Sequence, residues 1–300
     1  MEDNYIFPFE FTTLYRDNCK CVIVLGDNRE VLSSFPDKAD LIITSPPYAD
    51  ARKNHYDSIE PDKYKDWFIT FHKGFYFSMK QEGSFILNIK DKVVDGVRNR
   101  FVWDTIQELT KLGWYGIDDY IWHKTNPMPG YWPTRLSDGW EYIFHLAKSK
   151  KPYFNRNAVM KPIGEWVNLR LKNLNGNDKA RHNSSNESGF GRDISKWLGK
   201  ELVSPSNVLS FALVGKNKGH PAVFPVELPS FFIKLLTPIG GWVIDPFSGS
   251  GTTGIAALST GRNCILIENN RDYYEESISR ITSEANASSV VPVRLPGIDS

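Results

Sequence analysis

Two short stretches carry residue types whose spacing suits chemistry. Residues 44–48 read T-S-P-P-Y and follow the strand-forming run Leu41-Ile42-Ile43-Thr44. Pro46 and Pro47 lack a backbone N–H and hold φ at about −65°, so they cannot continue a central ladder. Both keep their carbonyls, stiffly aimed, while Ser45 adds a hydroxyl and Tyr48 a flat ring. Hydrogen-bond acceptors and an aromatic face thus stand at the carboxyl end of a strand, where open α/β sheets bind ligands. Taken alone, the stretch reads as a rigid turn with a capping Ser and a core Tyr.

The second stretch, D-P-F-S-G-S-G-T-T-G, spans 245–254, between a strand ending near Ile244 and a helix starting near Thr252. Small residues let the backbone approach a ligand, and a helix start offers free N–H groups. A phosphate-binding P-loop is excluded, because no lysine follows Gly251 or Gly254. Gly249, Gly251 and Gly254 satisfy G-x-G-x-x-G, a weak sign of a dinucleotide. Asp245 and Pro246, however, stand between the strand and the glycines, and an acid there suits an ammonium better than a pyrophosphate. S-adenosylmethionine carries an ammonium and no phosphate. Glu268, ending the next strand, is placed to hold two ribose hydroxyls.

The elements that position these stretches alternate strand and helix. Strands are expected at 21–25, 41–44, 83–89, 120–122, 141–147, 241–245 and 264–268. Helical spacing covers 62–80, 101–112 up to Gly113, a Pro-opened segment after Val223, 252–260 and 271–284. The chain has 300 residues, 41% hydrophobic and 24% charged, as in a globular enzyme. No apolar run is long enough to span a bilayer and the N-terminus is acidic, so a cytoplasmic protein with no membrane partner is expected. Cys19, Cys21 and Cys264 lack C-x-x-C spacing, so no metal is expected.

Charge is uneven along the chain. Residues 148–218 hold fourteen Lys/Arg against five acids, a net +9 within a total of +1, which leaves −8 elsewhere. From about 148 to 207 the chain is basic, Asn/Ser-rich and weakly periodic, like an inserted module with long loops. Such asymmetry marks a candidate polyanion-binding segment.

D-P-F-S-G-S-G-T-T resembles the cofactor signature of amino-methyltransferases acting on DNA, and T-S-P-P-Y resembles their catalytic signature. The order, T-S-P-P-Y first, the basic segment between and the cofactor turn last, is that of the circularly permuted beta class. G-D-N-R-E-V-L (26–32), W-H-K-T-N-P-M-P (122–129) and H-P-A-V-F-P-V-E-L-P (220–229) resemble its opening, its loop near the target base and its segment over the methionine end of the cofactor. The resemblance covers roughly 20–147 and 208–283. It implies an α/β, Rossmann-like S-adenosylmethionine-dependent methyltransferase fold. The sheet would be mostly parallel with helices on both faces, circularly permuted, with an inserted target-recognition region. Residues 1–147 would be the catalytic part, 148–207 the target-recognition insert, 208–284 the cofactor-binding part and 285–300 a flexible tail.

By the same resemblance Ser45, Pro46, Pro47 and Tyr48 are catalytic. Ser45 and the Pro46 carbonyl would accept hydrogen bonds from the target amino group and localise its lone pair, with Tyr48 stacking on the base. Asp245 would hold the methionine moiety, Glu268 with Asn269 the ribose, and Asp27 the adenine. Pro246, Phe247, Ser248, Gly249, Ser250, Gly251 and Thr252 would line the turn, with His220, Pro221 and Phe224 closing the site. Trp122, Lys124 and Asn126 would touch the substrate base. Core packing or a turn accounts equally well for Trp122 and Asn126, a helix cap for Asp27, and a packed histidine for His220. The cofactor would be S-adenosylmethionine, leaving S-adenosylhomocysteine. The partner would be double-stranded DNA with the target base flipped out, beside a restriction endonuclease.

Ser45 favours cytosine N4 as acceptor, since adenine-N6 members more often carry Asp there; adenine N6 is the alternative. No cysteine follows a proline, so carbon-5 methylation is not expected. A nicotinamide oxidoreductase would leave T-S-P-P-Y and the basic insert without a task. A non-catalytic DNA-binding protein would leave the cofactor turn without one.

Overall fold

The computed structural model describes residues 7–49, 59–164, 200–213 and 224–289. These fall into two compact units, one of residues 1–155 with 207–300 and the other of 156–206.

In the first unit the strands are β1 (Glu10–Arg16), β2 (Cys19–Leu25), β3 (Ala39–Thr44), β4 (Met79–Ile89), the hairpin β5 (Lys92–Val94) and β6 (Val97–Asn99), β7 (Tyr115–Lys124) and β8 (Trp140–Ala147). In the second unit β9 (Lys161–Pro162) pairs antiparallel with β10 (Leu202–Val203). The first unit resumes with β11 (Val208–Phe211), β12 (Trp242–Asp245), β13 (Asn263–Glu268) and β14 (Ser288–Ser289). Ten strands form one sheet in the order β11-β7-β8-β4-β3-β12-β13-β2-β1-β14. The middle five, β4-β3-β12-β13-β2, are parallel throughout. Antiparallel pairings flank them on both sides, so the sheet is mixed around a parallel centre.

Leu41, Ile42, Val243, Ile244, Ile265 and Leu266 are all buried, as expected of parallel strands covered on both faces. On one face α1 (Asn28–Val31), α2 (Pro61–Ile69), α3 (His72–Ser78) and α4 (Phe101–Lys111) supply Val31, Phe68, Phe75 and Leu109 to a core with Ile42, Phe85, Ile244 and Ile265. On the other, α5 (Glu227–Leu236) lies on β3 and β4, α6 (Thr252–Ser259) on β13 and β2, and α7 (Arg271–Glu284) on β2 and β1.

Several expected boundaries shift for physical reasons. The helical pattern of 62–80 breaks into α2 and α3, and the chain turns extended at Met79. Gly83, expected to open the third strand, sits inside β4, where a Cβ would lie 2.9 Å from the Ala39 carbonyl oxygen. The insert was expected from 148. Residues 148–155 belong to the first unit, since Tyr153 N–H donates to Glu82 O at 2.9 Å and Asn155 N–H to Leu235 O at 2.7 Å. The tail was expected from 285, yet Ala285 and Ala287 are buried and Ser288–Ser289 pair with β1. Residues 165–199 of the basic segment lie outside the described residues.

Gly254 fixes how closely α6 approaches the sheet. A Cβ there would lie 2.7 Å from Ile281 Cδ1 and 2.8 Å from Leu266 Cδ1, both inside the core. Gly254→Ala is therefore expected to destabilise the fold by about 1–3 kcal/mol, the usual cost of overpacking. Urea denaturation measures it, and in a double-mutant cycle the cost of Gly254→Ala should be smaller in a Leu266→Ala background.

Candidate functional site

The carboxyl ends of β3, β12, β13 and β2 lie side by side and open into one cleft of about 530 Å³. From β3 come Ser45, Pro46, Pro47 and Tyr48. The turn after β12 contributes Asp245, Pro246, Phe247, Ser248, Gly249, Ser250 and Thr252. Glu268 and Asn269 enter from β13, and Gly26 to Arg29 from β2. Trp67, Phe71 and Phe224 complete the wall. Phe247 meets Phe71 edge-on at 5.0 Å and Trp67 at 6.0 Å, which gives the cleft an apolar aromatic side.

Two acids at the floor are held differently from ordinary surface carboxylates. Asp245 is 2% exposed. Its Oδ1 accepts from Thr44 Oγ1 at 2.6 Å and from Phe247 N–H at 3.1 Å, and its Oδ2 from Thr253 Oγ1 at 2.5 Å. Burial nevertheless pushes its pKa up to about 6, against these bonds, and among the described residues no Lys or Arg pairs with it. Glu268 takes Gly249 N–H on Oε2 at 2.8 Å and Asn270 N–H on Oε1 at 3.0 Å. Burial raises its pKa too. Asn269 N–H adds a third backbone bond to this carboxylate, which lines the floor of the cleft.

The glycine turn is shaped by its neighbours. Gly251 has φ +82°, a conformation that favours glycine, and a Cβ there would lie 2.9 Å from both Ser277 and Ile281. It packs against α7 and does not line the cleft, contrary to its expected role. Arg280 clamps the turn from outside, donating to Ser250 O at 3.0 Å and to Ser250 Oγ at 2.6 Å. Asp27 caps α1 through Arg29 N–H at 2.9 Å and also pairs with the Arg29 side chain, whose hydrogen bonds lower its pKa.

A directed hydrogen-bond chain orders the S-P-P-Y segment. Ser45 Oγ donates to Tyr48 Oη at 3.2 Å, and Tyr48 donates to Glu141 Oε2 at 2.7 Å. Lys124 Nζ reaches Glu141 Oε1 at 2.6 Å, and Asn88 Nδ2 reaches Oε2 at 3.2 Å. With its proton turned toward Tyr48, Ser45 has its lone pairs available to a substrate donor. Burial holds the Tyr48 phenol well above its ordinary pKa, so it stays a donor. Tyr64 claims the Pro47 carbonyl at 2.9 Å, whereas among the described residues nothing donates to the Pro46 carbonyl.

Not every expected site residue joins the cleft. Trp122 is buried and donates through Nε1 to Phe211 O at 3.1 Å, bracing β7 against β11. Asn126 exchanges bonds with the Leu213 backbone, at 3.2 Å to its carbonyl and 2.5 Å from its N–H. Lys124 acts on the site only through Glu141. His220 and Pro221 lie outside the described residues. Sequence reading missed Glu141, Asn88, Asn28, Arg29, Trp67, Phe71, Thr44, Thr253 and Arg280. The available signal for Glu141 is one acid opening the apolar run E-Y-I-F-H-L-A, and for Asn88 one amide inside F-I-L-N-I.

The DNA methylase family model matches residues 39–279. The type II methyltransferase M.PvuII of Proteus hauseri is 31% identical over 281 residues, covering 85% of this chain and 82% of that protein. Among solved structures, the PvuII DNA methyltransferase (cytosine-N4-specific) superposes with a TM-score of 0.65 at 25% identity, covering 89% and 91% of the two chains. The Thermus thermophilus protein TTHA0409, solved in complex with S-adenosyl-L-methionine, gives 0.57 at 25% identity, covering 88% and 94%.

Lys124 and Glu141 are 8% and 6% exposed, so breaking their ion pair strands a buried charge. Glu141→Gln should cost about 3 kcal/mol of stability, and Lys124→Met combined with it should recover most of that. A double-mutant cycle by chemical denaturation measures the coupling.

Proposed function

Because this chain belongs to the DNA methylase family, we propose that it transfers a methyl group from S-adenosylmethionine to the N4 amino group of a cytosine flipped out of duplex DNA. The supporting observation is the meeting in one cleft of an acceptor set aimed by Ser45 and Pro46 with the carboxylates of Asp245 and Glu268. The cytosine-N4 specificity of the PvuII enzyme and the serine at position 45 favour N4 over adenine N6.

The residues fit the cofactor. Asp245 is a buried carboxylate with no Lys or Arg partner among the described residues, and the cofactor's ammonium supplies a cation. Glu268 is a carboxylate oriented by backbone N–H groups on the floor of the cleft, where it can accept from ribose hydroxyls, and the wall of Trp67, Phe71 and Phe247 suits a flat heterocycle. S-adenosylmethionine supplies a methyl group activated on a sulfonium. The protein's own work is done on the base. Ser45 Oγ and the Pro46 carbonyl accept the amino hydrogens, drawing the nitrogen lone pair out of conjugation and aiming it at the methyl group. Tyr48 holds the ring plane while its hydroxyl stays fixed on Glu141. These groups are set before substrate arrives, so no reorganisation opposes the reaction. The proton released on methylation meets acceptors already in place, with the Glu141 carboxylate at the end of the Ser45–Tyr48 chain.

In this reading the chain order is the circularly permuted one, the basic segment within 148–207 recognises the target sequence, and a restriction endonuclease is the functional companion. His220, Pro221 and Phe224 close over the cofactor, and Asp27 meets its adenine.

Labelled S-adenosylmethionine and unmethylated mixed-sequence duplex, digested to nucleosides and read by mass spectrometry, are expected to yield N4-methylcytosine. N6-methyladenine would overturn the base assignment alone. No labelled nucleoside would overturn the function. Cofactor binding also carries a pH signature. Asp245 titrates at about 6 in the free protein. Protonation below that pH removes the partner of the ammonium, so binding weakens as pH falls. The limiting slope is about tenfold in Kd per pH unit for one linked proton. Calorimetry with S-adenosylhomocysteine from pH 5 to 8 measures it, and Asp245→Asn should flatten this slope.

A further inference from the structure

The loop between β7 and β8, residues 125–139, exposes apolar side chains that neither the core nor the cleft uses. Tyr131 is 92% exposed, Leu136 90% and Met128 78%. These are large apolar groups on one short loop, an arrangement that marks an interaction surface. The loop is built to hold its shape. Pro127, Pro129 and Pro133 restrict its backbone. The Trp132 ring lies against Gly130, where a Cβ would fall 2.2 Å from it. Ser137 Oγ donates to Gly130 O at 3.1 Å, and the Arg135 guanidinium lies over the Trp132 ring at 5.0 Å.

Position and charge identify the occupant. The loop springs from the rung at which Lys124 N–H donates to Gly139 O at 2.8 Å. The Lys124 side chain pairs with Glu141, two residues beyond Gly139, and Glu141 holds the Tyr48 hydroxyl, so the loop rises beside the place where the target base is to sit. Its one acid, Asp138, is neutralised twice, by Lys90 at 3.0 Å, just after β4, and by Arg98 of β6 at 2.9 Å. Among the described residues Arg135 has no acidic partner. With Lys90 and Arg98 beside it, the loop presents three cations against one acid, and an aromatic, stiffened surface of that sign is complementary to a stack of bases between phosphates.

Resting on the reading of this chain as a base-flipping methyltransferase, we infer that the 125–139 loop enters the duplex where the target base has left it. Tyr131 and Leu136 fill the vacated space and cover the faces of the neighbouring bases. Arg135 faces the phosphates beside them. The wedge lowers the cost of extrusion, and the chemistry at Ser45 follows independently.

The test separates extrusion from chemistry. The methylated site is first mapped by wild-type enzyme on plasmid DNA. Two synthetic duplexes then carry that site, one fully paired and one with a mismatched base opposite the target, which is cheaper to unpair. The double variant Tyr131→Ala/Leu136→Ala is expected to lose about tenfold or more in methyl transfer on the paired duplex and to regain most of it on the mismatched one. Ser45→Ala should be impaired on both. S-adenosylhomocysteine binding should be unchanged in the loop variant, which shows that the fold and cofactor site are intact. Wild-type rates by the loop variant on the paired duplex would overturn the inference. Equal loss on both duplexes would overturn it too, including the case in which sedimentation shows the loop to be a contact between two copies of this chain. No transfer by the wild-type enzyme to any DNA would overturn the functional reading itself, and the inference with it.

Discussion

One hydrogen bond joins the two halves of the cleft. Thr44, the last residue of β3, donates its hydroxyl to Asp245, the last residue of β12, across 201 positions of sequence. The bond requires both strands to be parallel neighbours in register, which the pairings Leu41 with Val243 and Ile42 with Ile244 supply. Everything that follows β3 is then placed against everything that follows β12: S-P-P-Y beside the glycine turn, with the cleft between. The same geometry buries Asp245, because a strand end in the middle of a sheet covered on both faces has little access to water. Position and electrostatics therefore come from a single structural fact.

Two buried acids near the cleft show how the surroundings divide their tasks. Glu141 has a lysine at 2.6 Å and is saturated by Tyr48 and Asn88, so its charge is satisfied within the protein. Such a group fixes the direction of the Ser45–Tyr48 chain, and its charge is already met by Lys124. Asp245 is hydrogen-bonded but has no Lys or Arg partner among the described residues, and burial raises its pKa to about 6. A buried carboxylate kept ionisable without a counter-ion is costly to the fold and is retained where something else brings the cation. The contrast separates scaffold from binding site without reference to any relative.

The parts legible in the sequence were those whose meaning is local. T-S-P-P-Y and D-P-F-S-G-S-G-T-T-G each carry their turn chemistry within a few residues, and the strands before them are dense apolar runs. Glu141 was not legible, since its partners come from two other strands and from the segment after β3, and only the sheet pairing brings them together. Trp122 and Asn126 were drawn toward the site by proximity to the right motif. In the structure they tie β7 to the chain around β11, a short strand that periodicity did not reveal. Gly83 misled because glycine in a sequence signals a stop, while in the sheet it lets a strand pass a neighbour's carbonyl. Gly251 misled in the opposite sense, as a glycine of the cofactor signature whose bare side faces a helix.

Proline is used twice near the cleft, for the same physical reason in two settings. In S-P-P-Y it removes freedom from the groups that, on the proposed reading, meet an amino nitrogen, so little ordering is needed when the base arrives. In N-P-M-P-G-Y-W-P it removes freedom from a loop that carries Tyr131 and Leu136 into solvent, so an apolar contact there is not offset by ordering the chain. The Lys124–Glu141 pair stands at the foot of the second segment and at the end of the hydrogen-bond chain of the first. Its buried geometry fixes where the loop leaves the sheet relative to S-P-P-Y. On the proposed reading the loop frees the base and S-P-P-Y activates its nitrogen, two separate tasks set side by side by one ion pair.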